Sequence, residues 1–281
     1  MSQLQTDSSS VAPSGVSEDT EYPQVAYVNG KSINIVASLW NSPETHAWKS
    51  GAVTRSNEEA CMVAATATWL RWRDRMMVEG RQPTSPNFVV SPSHSPIWDN
   101  FSRLWHIELR APDEGDDAER LTALCDDDTI CIIHAVNGPH SRTASEVQEL
   151  DRAISRLNAD RAYPIPVHID AGTQGLLLPF VAPDLQWDFR LDSVKSISAY
   201  SPLDSEAFPG TGFVCWRDRS CVPDGMQFTI HYLGAEINQI GLNFSRPTDG
   251  LFQHYTRYIR LGYSGIQAAL LARKGEMETK F

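Results

Sequence analysis

His168 and Asp170 stand two residues apart in the run VHIDAG, residues 167–172. In a strand, side chains two apart leave the same face. An imidazole and a carboxylate would then share one surface, a pairing suited to hydrogen bonding and proton transfer. Other constellations are weaker. No GxSxG nucleophile elbow occurs. His134 and His140 lie six apart across a loop, and two ligands do not make a metal site, so no metal is expected. Cys61, Cys125, Cys131, Cys215 and Cys221 are odd in number, scattered and without a CxxC pair, which points to reduced, mostly buried thiols rather than disulfides.

The elements that would position these groups can be read from pattern. INIVASL, 33–39, is read as a helix entering a turn at Asn41-Ser42-Pro43. SNEEACMVAATATWLRWRDRMMVEG is a helix: Ser56 with Glu59 forms a capping box, alanines and large apolar groups follow, and Gly80 closes it. PNFVVSP, SPIWDNFSRLWHIELR, DDTICIIHAV, SEVQELDRAISRLNAD and PIPVHIDA then alternate short apolar runs with amphipathic stretches. That alternation predicts strands joined by crossover helices in a parallel sheet. VKSISA, TGFVCWRD and MQFTIHY read as further strands, and LFQHYTRYIRLGYSGIQAALLARKG as a long C-terminal helix.

With 281 residues, 41% hydrophobic and 21% charged, the chain can bury a substantial core. No run of about 18 apolar residues exists, and the N-terminus lacks the basic and apolar regions of a secretory signal. A cytoplasmic protein without membrane insertion is expected. The formal charge of −11 argues against a nucleic-acid partner, because such affinity comes from Lys and Arg neutralising phosphates. Residues 1–20, polar and poor in large apolar groups, read as a disordered tail ahead of a folded unit over 21–281.

Residues 21–43, PNFVVSPSHSPIWDNFSRL, VHIDAG, LQWDFRL, VKSISA, FVCWRD, HYLGAEI and LNFSRP together resemble the glutamate decarboxylase family of group II pyridoxal-phosphate (PLP) decarboxylases. The resemblance covers the chain from Glu21 to about Gln267. It implies the α/β large domain of PLP fold type I, with a mostly parallel seven-stranded sheet and a dimeric assembly. The family's C-terminal small domain is expected to be missing, since the chain stops where that domain would begin.

The same resemblance implies what each site residue should do, and here the sequence departs from the family. The family's SGHKYG, whose lysine carries PLP as a Schiff base, falls on Tyr200-Ser201-Pro202-Leu203-Asp204-Ser205, so Leu203 stands at the lysine and Pro202 at the histidine before it. A leucine cannot form an imine. The phosphate-cradling GSSEA falls on Ser56-Asn57-Glu58-Glu59-Ala60, which puts a carboxylate at Glu58. Pro139 replaces a cofactor-contacting threonine beside His140, and the ring-stacking position falls on Ser95, or on His94 with a slip of one. Asp170 matches the carboxylate that pairs with the pyridine nitrogen, and His168 the family's histidine. Asn243-Phe244-Ser245 matches a segment that reaches the neighbouring subunit.

The exchanges to Leu203, Pro202 and Pro139 make the cofactor site more apolar, so the expectation is an enzyme without PLP or any other cofactor. It would bind a small hydrophobic metabolite in a pocket formed by Ser95, Pro139, His140, Gly172, Leu203, Phe244 and Ser245. It would promote an intramolecular cyclisation, a pericyclic step or an isomerase or lyase reaction through proximity, assisted by His168, Asp170, His94 or Tyr200. Two alternatives stand beside it: a non-catalytic chain that dimerises with itself or with a decarboxylase, and residual PLP binding without a Schiff base.

Overall fold

The computed structural model describes residues 23–44, 50–82, 84–113, 115, 117–136, 141–201, 211–232, 235–241 and 248–278. The tail over 1–20 lies outside them, as do Pro139, His140, Pro202, Leu203, Phe244 and Ser245.

The helices are α1 (Pro23–Leu39), α2 (Asn57–Val78), α3 (Pro96–Trp105), α4 (Ala118–Ala123), α5 (Ser141–Asn158), α6 (Leu178–Val181) and α7 (Asp249–Glu278). The strands are β1 (Gly51–Thr54), β2 (Asn87–Val90), β3 (Glu108–Arg110), β4 (Thr129–Ala135), β5 (Val167–Asp170), β6 (Val194–Tyr200), β7 (Gly212–Trp216), β8 (Gln227–Tyr232) and β9 (Ala235–Ile240). The first seven strands form one sheet in the order β1-β7-β6-β5-β4-β2-β3. From β6 through β3 all pairings are parallel, while β7 runs antiparallel to both β6 and β1.

Helices cover both faces, so the inner strands are buried on both sides, and every residue of β4, β5 and β7 is buried. One core joins α1, α4, α5 and the start of α7 to Val89, Ile132, Ile169, Ile197, Phe213 and Cys215. On the other face α2 and α3 close over Phe88, Val90, Cys131 and Ile133. Alanines 60, 64, 65 and 67 let α2 lie close to the sheet. Because direction alternates along each strand, His168 and Asp170 point toward α2 and α3, whereas Ile169 faces the first core.

One half of the capping box at Ser56 is formed: its Oγ accepts the Glu59 N–H at 3.2 Å, while Glu59 Oε2 accepts the N–H of Arg55 rather than that of Ser56. Gly80 ends the segment at a φ of 69°, a value that favours glycine. Asn41, at a φ of 54°, turns the chain after α1 as expected. Three features differ from the pattern reading. The strand β1 was not singled out, being only four residues long. MQFTIHY forms β8 but pairs only with β9, in a two-stranded hairpin apart from the main sheet. The C-terminal helix is broken at Gly262, where φ is 61° and ψ −176°. All five cysteines are free, and four are buried.

Candidate active site

The conserved geometry of open parallel sheets puts sites beyond the carboxyl ends of the strands. Asp170 is the last residue of β5, and its neighbours come from four elements. On α3, the Trp98 indole Nε1–H donates to Asp170 Oδ2 at 2.9 Å. After β5, the Gly172 N–H reaches Oδ1 at a longer 3.4 Å. On α2, the Cys61 thiol lies against the carboxyl and 3.5 Å from Ser198 Oγ on β6. Burial is the main influence on Asp170 and raises its pKa. The donors Trp98, Gly172 and Cys61 and the nearby His94 oppose that shift without cancelling it.

His168 sits deeper, 1% exposed. Its Nδ1 is 2.7 Å from Ser196 Oγ and its Nε2 3.1 Å from Ser198 Oγ. A neutral ring donates through one nitrogen and accepts through the other, which matches two hydroxyls. Burial pushes its pKa down to about 3, so the ring is uncharged at neutral pH. The Trp98 indole meets it edge-on, ring centres 5.3 Å apart. His168 and Asp170 do share a face, and Trp98 touches both.

The other expected residues are placed unevenly. His94 is half-buried in the loop after β2, with Nδ1 2.8 Å from the Ser91 carbonyl and Nε2 3.4 Å from Asp99, and it lies near enough to Asp170 to act on it electrostatically. Ser95 is the N-cap of α3, its Oγ accepting the Ile97 N–H at 3.5 Å. Tyr200 comes alongside Gly172: its N–H donates to the Gly172 carbonyl at 3.0 Å, and its ring edge is 3.8 Å from where a Gly172 Cβ would stand. Gly172, at a φ of 49°, lets the chain turn there. Ser56, Asn57 and Glu58 open α2, and Glu58 is felt electrostatically at Cys61. Pattern reading did not single out Trp98, Cys61, Ser196 or Ser198. The two serines had a signal: they repeat the period of two of His168 and Asp170 on the adjoining strand.

PLP can be tested against this donor set. Its phosphate would need free amides at the start of α2. There Ser56 Oγ already takes the Glu59 N–H, and Glu59 Oε2 accepts the Arg55 N–H at 2.7 Å and pairs with the Arg55 guanidinium at 3.7 Å. Glu58 and Glu59 supply the negative charge that the helix dipole favours. Strand β7 closes on the same turn, since a Cβ on Gly212 would stand 2.4 Å from the Ser56 carbonyl oxygen. The described start of α2 thus carries its own negative charge where a phosphate would be held, and in the sequence leucine stands at the place the resemblance gives to the lysine. Among the described residues no cluster of three metal-ligating side chains occurs, and no helix is long and apolar enough to cross a membrane.

The fold and the retained aspartate define a decarboxylase-like α/β domain. The model of the pyridoxal-dependent decarboxylase conserved domain matches residues 8–277, and the chain belongs to that family. A glutamate decarboxylase of Aliivibrio fischeri is 36% identical over 252 residues, covering 88% of this chain and 54% of its own length. One from Lactococcus lactis subsp. cremoris is 31% identical over 258 residues, covering 89% and 55%. The chain thus spans a little over half the length of these relatives. The solved glutamate decarboxylase of Lactobacillus brevis superposes with a TM-score of 0.81 at 30% identity, over 92% of this chain and 60% of that one. A sphingosine-1-phosphate lyase of Burkholderia pseudomallei shares the fold, with a TM-score of 0.72 at 19% identity over 92% of this chain and 61% of that one.

Proposed function

We propose that this chain is a PLP-independent enzyme built on a decarboxylase core. It binds a small apolar metabolite at the carboxyl ends of β5 and β6 and catalyses an intramolecular cyclisation, a pericyclic step or a related isomerase or lyase reaction. The observation that supports the reading is the start of α2, where the Ser56 hydroxyl takes the Glu59 N–H and Glu58 and Glu59 put two carboxylates in the first turn, which opposes a further anion such as a phosphate. The leucine at position 203 supports it from the sequence. The relatives are named glutamate decarboxylases, but an imine-forming amine is absent from the matching motif here.

In this reading Asp170 is the acid–base group. Burial raises its pKa, which favours the protonated form more than in an exposed carboxyl. The donors around it stabilise the carboxylate once a proton has left, so it can give and take one without large reorganisation. His168 holds Trp98 and does not exchange protons itself. Most of the acceleration comes from holding one molecule in a near-attack shape, with its reacting atoms close and aligned. Pairing with a second copy is part of the proposal: Ile259, Leu261 and Leu271 on α7 leave apolar side chains in solvent.

Deleting the gene in its native host is expected to make an unreacted precursor accumulate. The wild-type gene should clear that precursor, and an Asp170→Asn version should not. An unchanged metabolite profile would contradict the enzyme reading and favour the non-catalytic dimerising chain.

A further inference from the structure

We infer that Trp98 is the positioning residue of Asp170, and that it makes Oδ1 the oxygen that carries and exchanges the proton. The indole is 1% exposed and held by two rings, edge-on to His168 at 5.3 Å and to Phe88 at 6.2 Å. His168 is itself fixed by Ser196 and Ser198. The single N–H of that clamped indole is aimed at Oδ2, at 2.9 Å. Of a carboxyl's two oxygens the carbonyl oxygen is the better acceptor, so the short bond to Oδ2 leaves the hydroxyl on Oδ1. There the only backbone partner among the described residues is the distant Gly172 N–H. Oδ1 lies on the side of Gly172 and Tyr200, toward the carboxyl ends of the strands. Pinning one oxygen gives the group a fixed direction for proton transfer.

The titratable groups facing Asp170 are the Cys61 thiol from α2, His94 from the loop after β2 and, through Trp98, His168 on its own strand. Burial keeps the thiol in its neutral form and the His168 imidazole uncharged. Trp98 makes a shorter bond to the carboxylate than the Gly172 N–H, at 2.9 Å against 3.4 Å, and its removal must favour the protonated state. The functional meaning rests on the reading of Asp170 as the acid–base group, but the test below needs no substrate and can fail separately from it.

The experiment is a carbon-13 NMR titration of the Asp170 carboxyl in the full chain, assigned by its loss in Asp170→Asn. Trp98→Phe keeps a ring between His168 and Phe88 and removes only the donor. Its Asp170 midpoint is expected to rise by about one pH unit, a tenfold gain in proton affinity. An unchanged or lowered midpoint overturns the inference. The Trp98 indole N–H resonance in the wild-type protein gives a second readout that does not depend on a variant folding. It should move with the same midpoint as the carboxyl, and an indole proton indifferent to that titration also overturns the assignment. A shifted midpoint together with an unchanged metabolite profile on gene deletion would retain Trp98 in this role and reject the enzyme reading.

Discussion

Lowering the pH from about 6.5 to 4 is expected to destabilise this protein by roughly 1.4–2.7 kcal/mol per pH unit, because two imidazoles stay uncharged in the fold. Burial holds His168 down at about 3, and burial with the Arg257 guanidinium holds His254 at about 4. Unfolded, each takes a proton near the usual histidine value of about 6.5. A folded pKa below the unfolded one means that the stabilisation is complete at neutral pH and is lost as pH falls through that window. Asp170 acts oppositely. Its raised pKa lets the folded state keep a proton that the unfolded chain releases above about 3.9, so its stabilisation is lost as pH rises. Two histidine protons outweigh at most one from the carboxyl, which sets the range given. Denaturant unfolding across that window measures the slope. His168→Gln offers the two serines an amide donor and acceptor without a titrating ring, and should flatten the slope by about 1.4 kcal/mol per pH unit. An unflattened slope would mean that His168 is protonated in the folded protein.

Gly175→Ala is expected to cost about 3 kcal/mol or to prevent folding, the upper end of what an overfilled core produces. A Cβ there would stand 2.5 Å from the Ala199 Cβ and 2.9 Å from the Ala171 Cβ, with Trp40 behind it at 3.5 Å. Neither alanine has a rotamer through which to yield. The strain would pass directly to the site. Gly175 donates its N–H to the Ala171 carbonyl, Ala171 donates to the Ser198 carbonyl, and the Trp40 indole holds the Gly175 carbonyl at 2.7 Å. These bonds set the turn that carries Asp170 and Gly172. Gly225→Ala, which meets nothing within 4 Å, is the control and should change thermal stability little. Equal Tm values for the two variants would contradict this account of the turn.

Much of the fold is legible because local and long-range signals agree. Ser56 and Glu59 mark the start of α2 at the residue where it begins, and the alanine-rich face of that helix matches its close approach to the sheet. Strand β4 reads as a continuous apolar run because helices cover both its faces. MQFTIHY has the composition of a sheet strand, but composition does not record its partner, and that partner is β9 rather than β7. The site is legible in part for the same reason. A period of two puts His168 and Asp170 on one face, yet what they do depends on residues 72 positions away at Trp98 and 28 to 30 away at Ser196 and Ser198. Those contacts arise from strand order and helix packing, which spacing does not encode. His168 looks like a proton carrier in the sequence, and in the fold its ring is buried between two serine hydroxyls and edge-on to Trp98.

The central claim is that this decarboxylase core works without PLP. It is tested most directly by incubating the purified full chain with excess PLP, removing unbound cofactor by gel filtration, and recording imine absorbance together with the thermal midpoint. The account predicts no retained absorbance and no change in Tm. Stoichiometric retention of PLP with a raised Tm, and release of carbon dioxide from glutamate by the loaded protein, would contradict it.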